Sequence, residues 1–199
     1  RLLALASDTI VTISPRQRDD IVTRFAVAPA SKTVVIPLGL DLDSLFALDA
    51  PSTGQPEART DEIVVGYAGR MVPVKDLPTL VRAFAAARAV LPGLHLVLAG
   101  DGPERGAAEA LVDALGVRSH VRFIGWVSDL PAFYSSLDLF ALSSINEGTP
   151  VAVIEAMAAG RAVVATAVGG VPDVVQHGDS GLLTPSGDVE AMASALVRL

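Results

Sequence analysis

The 199-residue chain contains no cysteine. That excludes a disulfide scaffold, thiolate zinc sites, iron–sulfur clusters and cysteine nucleophiles. The absence is compatible with a reducing compartment, and a cytoplasmic location is the expectation. Charged residues reach only 19% and aromatic ones 5%, whereas 51% of the chain is hydrophobic without counting its 17 glycines. So apolar a composition excludes a disordered chain, which has few large apolar residues and a high net charge. No apolar run approaches the ~18 residues that a membrane-spanning helix needs. The apolar start, Leu2 to Ala6, is too short for a secretory signal. Lysine is nearly missing: Lys32 and Lys75 are the only two. Acids outnumber bases by 22 to 15, a net charge of −7, so the chain repels a long phosphate backbone and no nucleic-acid partner is expected.

The length allows one large domain or two small ones, taking ~150 residues per domain. The stretch 49–61, with two prolines, a glycine and three acids, reads as a linker. It divides a short first part, 1–48, from a main domain, 62–199. The chain opens on arginine and stops inside a helical pattern, so it reads as a piece of a longer protein. Short β-branched runs alternate with segments of helical period. Strands are expected at Thr9–Ile13, Thr33–Ile36, Ile63–Ala68, Leu94–Ala99, Val121–Ile124, Leu137–Leu142 and Ala162–Thr166. Most lack polar alternation, as strands covered on both faces do. Helices are expected at Gln17–Phe25, Leu77–Leu91, Pro103–Leu115, Val151–Ala159 and Asp188–Leu199. Leu77, Leu80, Val81, Phe84 and Ala85 then share one buried face. This alternation predicts an α/β fold, a doubly wound parallel sheet.

In such a sheet ligands bind outside the carboxyl ends of the strands, so the polar and glycine residues there carry the chemistry. After Ile63–Ala68 come Gly69, Arg70 and, five residues later, Lys75, with Asp76 as the expected helix cap. The two cations read either as a diphosphate clamp near a helix start or as solvated side chains beside a turn. If solvated, each contributes within ~0.5 kcal/mol to stability. The run Gly100-Asp-Gly-Pro-Glu-Arg-Gly106 has its third glycine one residue late for a dinucleotide fingerprint, so a turn leading into a proline-started helix explains it better. In Glu147-Gly148-Thr149-Pro150, Thr149 is expected to cap the next helix with Pro150 at its first position, leaving the amides of Val151 and Ala152 free. Glu147 precedes that helix and Glu155 lies in its second turn. An acid there needs partners: sugar and ribose hydroxyls on one reading, Arg161 or solvent on the other. Gly169-Gly170 repeats the glycine-then-helix pattern. His95, His120 and His177 are too far apart in sequence for a local metal pair and are assigned to structure. No metal site is expected.

Taken together these segments resemble the nucleotide-sugar-binding half of GT-B glycosyltransferases, most closely the retaining enzymes of glycosyltransferase family 4. The resemblance rests on Gly69-Arg70 with Lys75, Gly100-Asp101-Gly102-Pro103, Glu147-Gly148-Thr149-Pro150 with Glu155 and Ala156-Met157-Ala158, and Gly169-Gly170, in the family's order. The ending His177-Gly178 to Leu183 with Asp188, and the upstream Ile36-Pro-Leu-Gly-Leu-Asp41, are also similar. It implies a Rossmann-like domain preceded by the end of an acceptor-side domain and a crossover. Arg70 and Lys75 would neutralise the departing diphosphate, and Glu155 would hold the ribose. Glu147, with the backbone of Gly148, Thr149, Pro150 and Val151, would grip the sugar, and Gly69 would let the ligand approach the backbone. Trp126 and Val127 would lie along the base.

The resemblance further implies sugar transfer with retention and without a bound metal or other cofactor. The nucleotide sugar is the donor substrate, with uracil as its base by frequency in the family. A sugar or lipid-linked acceptor, and any peripheral membrane contact, would belong to a domain preceding residue 1, so the fragment alone is expected to be inactive in transfer. Leu38 and Asp173 depart from the family's usual asparagine and glutamate. The alternatives are a non-catalytic nucleotide-sugar-binding module and a nucleotide-sugar epimerase of the same fold.

Overall fold

A computed structural model describes residues 2–49 and 62–199. The expected linker, 49–61, lies outside the described residues apart from Asp49, which ends a short 3-10 turn. The first part begins with helix α1 (Leu2–Ala6) and strand β1 (Ile10–Thr12). Helix α2 (Pro15–Asp19) follows, capped by the Ser14 hydroxyl, which accepts the Gln17 amide at 3.1 Å. It starts two residues before the expected Gln17, because Ser14-Pro15 is a cap followed by a first-turn proline. It then widens into a π-turn over Asp20–Arg24. Strand β2 (Thr33–Val35) pairs with β1 in parallel, and the two form a small sheet of their own. The one-turn helix α3 (Asp43–Phe46) closes this part.

The main unit is a parallel sheet of six strands: β3 (Ile63–Ala68), β4 (Leu94–Ala99), β5 (Val121–Gly125), β6 (Leu139–Leu142), β7 (Ala162–Thr166) and β8 (Leu182–Thr184). Their order across the sheet is β5-β4-β3-β6-β7-β8. The α/β, doubly wound expectation is met. Strand β6 begins at Leu139 rather than Leu137, because the Leu137 amide still closes the preceding turn on the Tyr134 carbonyl at 3.2 Å. Asp138 makes the junction: its amide donates to the Val64 carbonyl at 2.9 Å and its carboxylate accepts the Val64 amide at 2.8 Å. Strand β8 was not anticipated, being three residues long and without a distinctive pattern.

The crossovers are α4 (Leu77–Val90), α5 (Arg105–Ala114), α6 (Leu130–Ser135) and α7 (Val151–Ala158), and α8 (Val189–Arg198) closes the chain. From β3 the chain first moves outward through β4 to β5, then returns past β3 to β6 and continues the other way. Right-handed crossovers therefore place α4 and α5 on one face and α7 on the other. Helix α4 packs against α5 and α8, and α7 packs against β6 and β7. Leu77, Leu80, Val81 and Phe84 are fully buried, as the helical spacing predicts, and Ala83 and Ala87 join them. Helix α6 escaped the periodicity reading, being only six residues long. Its start is nonetheless written in Asp129-Leu130-Pro131: the Asp129 carboxylate accepts the Ala132 amide at 2.9 Å. Leu45 of α3, only 2% exposed, sits in the same core beside α6 and α7, which ties the first part of the chain to the main unit.

Sequence distance conceals one contact. His95 and His120 stack edge to face with centroids 5.2 Å apart, and an Arg88 amino group lies 2.8 Å from His120 Nε2. That arrangement makes Nε2 the acceptor and leaves the proton on Nδ1, which is buried without a partner. Desolvation first, then the Arg88 charge and His95, push the His120 pKa below its usual 6.5. The folded state thus prefers neutral His120, whereas the unfolded chain protonates it near pH ~6.5. The associated stability is complete above that pH and is lost as the pH falls below it. We expect the urea midpoint to drop between about pH 7.5 and 5.5, and His120→Asn to flatten that part of the profile. An unchanged slope in the variant would refute the assignment.

Candidate functional site

Strands β3 and β6 lie side by side where the strand order reverses. Their carboxyl ends release the loops 69–76 and 143–150, and between these loops opens a cavity of about 480 Å³. Gly69, Arg70 and Lys75 line it from the first loop, and Glu147, Thr149 and Pro150 from the second. Val151 and Glu155 contribute from α7, and Trp126 and Val127 from the segment after β5. Gly148 is the one candidate that lines a different space. It faces a smaller cleft of about 130 Å³ shared with Ser14, Gln17 and Asp20 of the first part.

The loops are held by backbone against backbone. Gly100 has φ +117, and a Cβ there would fall on the Gly69 carbonyl oxygen. Around it the Gly69 amide donates to Ala99 at 3.1 Å and the Met71 amide to Asp101 at 2.8 Å. Gly169 has φ +51, and its Cβ would fall on the Glu147 carbonyl oxygen. These glycines are places where two loops touch with no room for a side chain. The run after β4 thus supports the Arg70 loop in addition to making the expected turn. Ser143, fully buried, adds a hydroxyl 2.9 Å from both the Lys75 and the Asp76 carbonyls.

The charges are distributed differently from the simplest reading. Lys75 is not a free cation: its Nζ donates to Glu147 Oε1 at 2.6 Å, and the Ser144 hydroxyl donates to the same oxygen at 2.5 Å. Arg70 is exposed and has no ion-pair partner among the described residues. Glu155 does not pair with Arg161, whose guanidinium binds the Ala159 and Leu137 carbonyls at 2.8 Å. Its Oε2 instead accepts the Tyr134 hydroxyl at 2.8 Å. The helix start also needs correction. Thr149 does not cap α7; Pro150 occupies the cap position and no side chain makes a cap bond. The Val151 amide turns back onto the Thr149 carbonyl at 3.0 Å, so of the two amides expected to be free only that of Ala152 lacks a partner among the described residues. Asp76 does stand at the α4 cap, but its carboxylate accepts the Thr79 hydroxyl at 2.6 Å rather than a backbone amide.

Sequence reading missed the groups behind the wall. Tyr67 and Tyr134 are fully buried. Burial chiefly, and the charges of Glu147 and Glu155 respectively, raise their pKa values well above the ordinary phenol range, which keeps both hydroxyls protonated donors. The Tyr67 hydroxyl supports the loop by donating to the Arg70 carbonyl at 3.1 Å. The apolar lining from Ala68 and Leu142 at strand ends, Val72 in the first loop and Leu130 at the start of α6 was also unmarked, since such residues look like any core. Among the described residues no group of three or more histidines or acids is arranged to hold a metal, and no helix is long and apolar enough to cross a membrane.

The family model "Glycosyl transferases group 1" matches residues 62–199. The chain belongs to this family. It is similar to the lipopolysaccharide core biosynthesis glycosyltransferase LpsE of Rhizobium meliloti, with 37% identity over 139 residues, covering 70% of this chain and 40% of that protein. It is also similar to the GDP-mannose-dependent alpha-(1-6)-phosphatidylinositol monomannoside mannosyltransferase of Mycobacterium tuberculosis, with 31% identity over 211 residues, covering 100% of this chain and 54% of the relative. The chain therefore spans about half the length of the curated relatives it matches. In fold it resembles the Anabaena protein HepE, solved with UDP and glucose, at a TM-score of 0.79 and 24% identity over 96% of this chain and 53% of that one. This group 1 unit has the Rossmann-like α/β fold of that structure, and the relatives do not favour the epimerase or the non-catalytic module.

Within it, Lys75 and Glu147 form a pair whose side chains are only 22% and 10% exposed. The expectation of negligible stability loss on removing Lys75 is therefore corrected, because its deletion strands a half-buried carboxylate on Ser144 alone. Lys75→Ala should cost about 1–3 kcal/mol in urea unfolding, while Arg70→Ala should stay within ~0.5 kcal/mol. Equal losses for the two variants would show that the pair does not organise the loops.

Proposed function

We propose that this chain binds a nucleoside diphosphate sugar in the cavity between the β3 and β6 loops and forms the donor half of a sugar-transferring enzyme. The observation that carries the reading is the convergence of an unpaired Arg70, the Lys75–Glu147 pair and Glu155 on one cavity at the switch point of the sheet. An arginine fork matches phosphate oxygens, so Arg70 takes the diphosphate and stabilises the charge that develops as it departs. The Ala152 amide at the start of α7 faces the same charge. Lys75 still has two N–H donors beyond the one on Glu147, so it links the sugar-binding acid to the phosphates. Glu147 Oε1 is occupied by Lys75 and Ser144, which leaves Oε2 for sugar hydroxyls. Glu155 receives the ribose, and Trp126, 66% exposed, lies with Val127 along the base.

The two carboxylates are not read as a glycosidase pair, which flanks one scissile bond: Glu147 precedes α7 and Glu155 lies in its second turn, so that they share one ligand instead. Retention of configuration and independence from divalent metal are part of the proposal. They are supported by the resemblance of the Glu147–Glu155 spacing and by the cations already present at the site. We place the acceptor site, together with any contact with a membrane, outside this chain, a reading supported by its spanning only about half of the curated relatives it matches. HepE was solved with UDP and glucose, and the mycobacterial relative is named for GDP-mannose, so the base is a matter for direct comparison.

Calorimetric titration with UDP-glucose, GDP-mannose and an ADP-sugar is the test, each run with and without EDTA. One of them should bind with an affinity indifferent to the chelator. Arg70→Ala should weaken the nucleoside diphosphate roughly 10- to 150-fold and leave the bare nucleoside unaffected. Retention of full diphosphate affinity in that variant would sink the clamp, and a chelator-sensitive affinity restored by manganese would sink the metal-independent reading.

Positioning both substrates supplies much of the rate of a two-substrate reaction. The 199-residue chain should therefore bind the donor without transferring its sugar. Robust transfer to any acceptor by this chain would overturn that division of labour.

A further inference from the structure

We infer that Tyr134 is a positioning residue of the cavity: its hydroxyl fixes Glu155 so that the carboxylate presents one oxygen to a ligand diol. The inference rests on the reading of the cavity as a nucleoside diphosphate site and concerns how that site selects ribose. Tyr134 is fully buried on α6, behind the wall, and touches no cavity space itself. Its ring is clamped edge to face by Phe133 at 5.1 Å and tilted against Phe140 at 5.9 Å. From that fixed ring the hydroxyl reaches Glu155 Oε2 at 2.8 Å. Oε1 has no partner among the described residues, and Glu155 lines the cavity. A glutamate with three rotatable bonds at a solvent-facing wall otherwise samples many rotamers, and ordering it opposes binding. Anchoring one oxygen from behind removes that cost before the ligand arrives. The free oxygen is then aimed where a pair of vicinal hydroxyls can both donate to it.

A second contact separates this role from simple core packing. The Tyr134 hydroxyl also lies 3.2 Å from the Ala152 carbonyl. One hydroxyl proton serves one acceptor at a time, and the charged, nearer Glu155 takes it. If Glu155 is removed, the proton moves to Ala152 and no buried donor is left unpaired. If only the hydroxyl is removed, the ring still fills its place and the carboxylate, released from its anchor, is free to turn toward the cavity that Glu155 lines. Neither deletion opens a hole in the core, so binding rather than folding reports on the link.

The experiment measures the affinities of UDP, GDP, ADP and their 2′-deoxy counterparts for this chain and for Tyr134→Phe, Glu155→Ala, the double variant and Glu155→Asp. The chain should prefer the ribonucleotide by roughly tenfold, Tyr134→Phe should lose 3- to 10-fold for the ribonucleotide alone, and Glu155→Ala should abolish the preference. Adding Tyr134→Phe to Glu155→Ala should change nothing further, because a residue acting through another has no effect once that other is gone. Glu155→Asp keeps the charge but falls short of the hydroxyl, so it should behave as Tyr134→Phe does. A purely structural tyrosine predicts equal weakening of ribo- and deoxyribonucleotides, or an undiminished preference in Glu155→Asp, and either result overturns the inference alone. No binding of any of the three diphosphates, or a preference that survives Glu155→Ala, overturns the reading of the cavity and the inference with it.

Discussion

The site depends on one constraint of topology: two loops must leave adjacent parallel strands, β3 and β6, whose connections run in opposite directions. Strand order reverses there, so no crossover covers the carboxyl ends and a crevice remains. What keeps the crevice from collapsing or splaying is backbone contact. Gly100 lies against the Gly69 carbonyl, and Gly169 lies against that of Glu147, each at a distance that only a missing side chain permits. The loops are thus spaced by the strands and braced by their neighbours, with Ser143 joining the base of one to the end of the other.

On that frame the electrostatics are divided in two. Each acid has one oxygen engaged by the protein: Lys75 and Ser144 share Glu147 Oε1, and Tyr134, from behind the wall, holds Glu155 Oε2. Arg70, Glu147 and Glu155 all line the cavity, and the second oxygen of each carboxylate has no partner among the described residues. Half-buried acids are stable here because each has one oxygen satisfied by the protein. On the proposed reading, Arg70 draws the anion and the acids draw hydroxyls. A nucleoside diphosphate sugar carries both kinds of group, which is why the arrangement as a whole is more specific than its members. The family assignment of residues 62–199 rests on the sequence match and is independent of these proposed roles.

Much of this was legible in one dimension. The near-continuous apolar runs at Ile63–Ala68, Leu94–Ala99 and Ala162–Thr166 became strands with those same bounds, since a strand covered on both faces has a pattern few other elements share. Helix α4 followed from the spacing of its leucines and Phe84. The short elements escaped: three residues of β8 and six of α6 carry too little periodicity, although Asp129-Leu130-Pro131 did mark the start of the latter. The Thr149 cap failed for a local reason. Pro150 took the cap position itself, and the Val151 amide turned back on Thr149.

Residue types and their order along the chain therefore settled the class of fold, the loops that border the cavity and the polar side chains those loops bring to it, but not its apolar lining. Pairing was decided only in three dimensions. Nothing in sequence could join Lys75 to Glu147, 72 residues apart, or Tyr134 to Glu155, 21 apart on different helices. Nor could it bring His120 onto Arg88 and His95. The reason is physical: periodicity reports which way a side chain faces relative to its own element, because that depends on local backbone geometry. Which charge it meets depends on how far strands and helices slide against one another as the core packs, and that is determined by the tertiary structure.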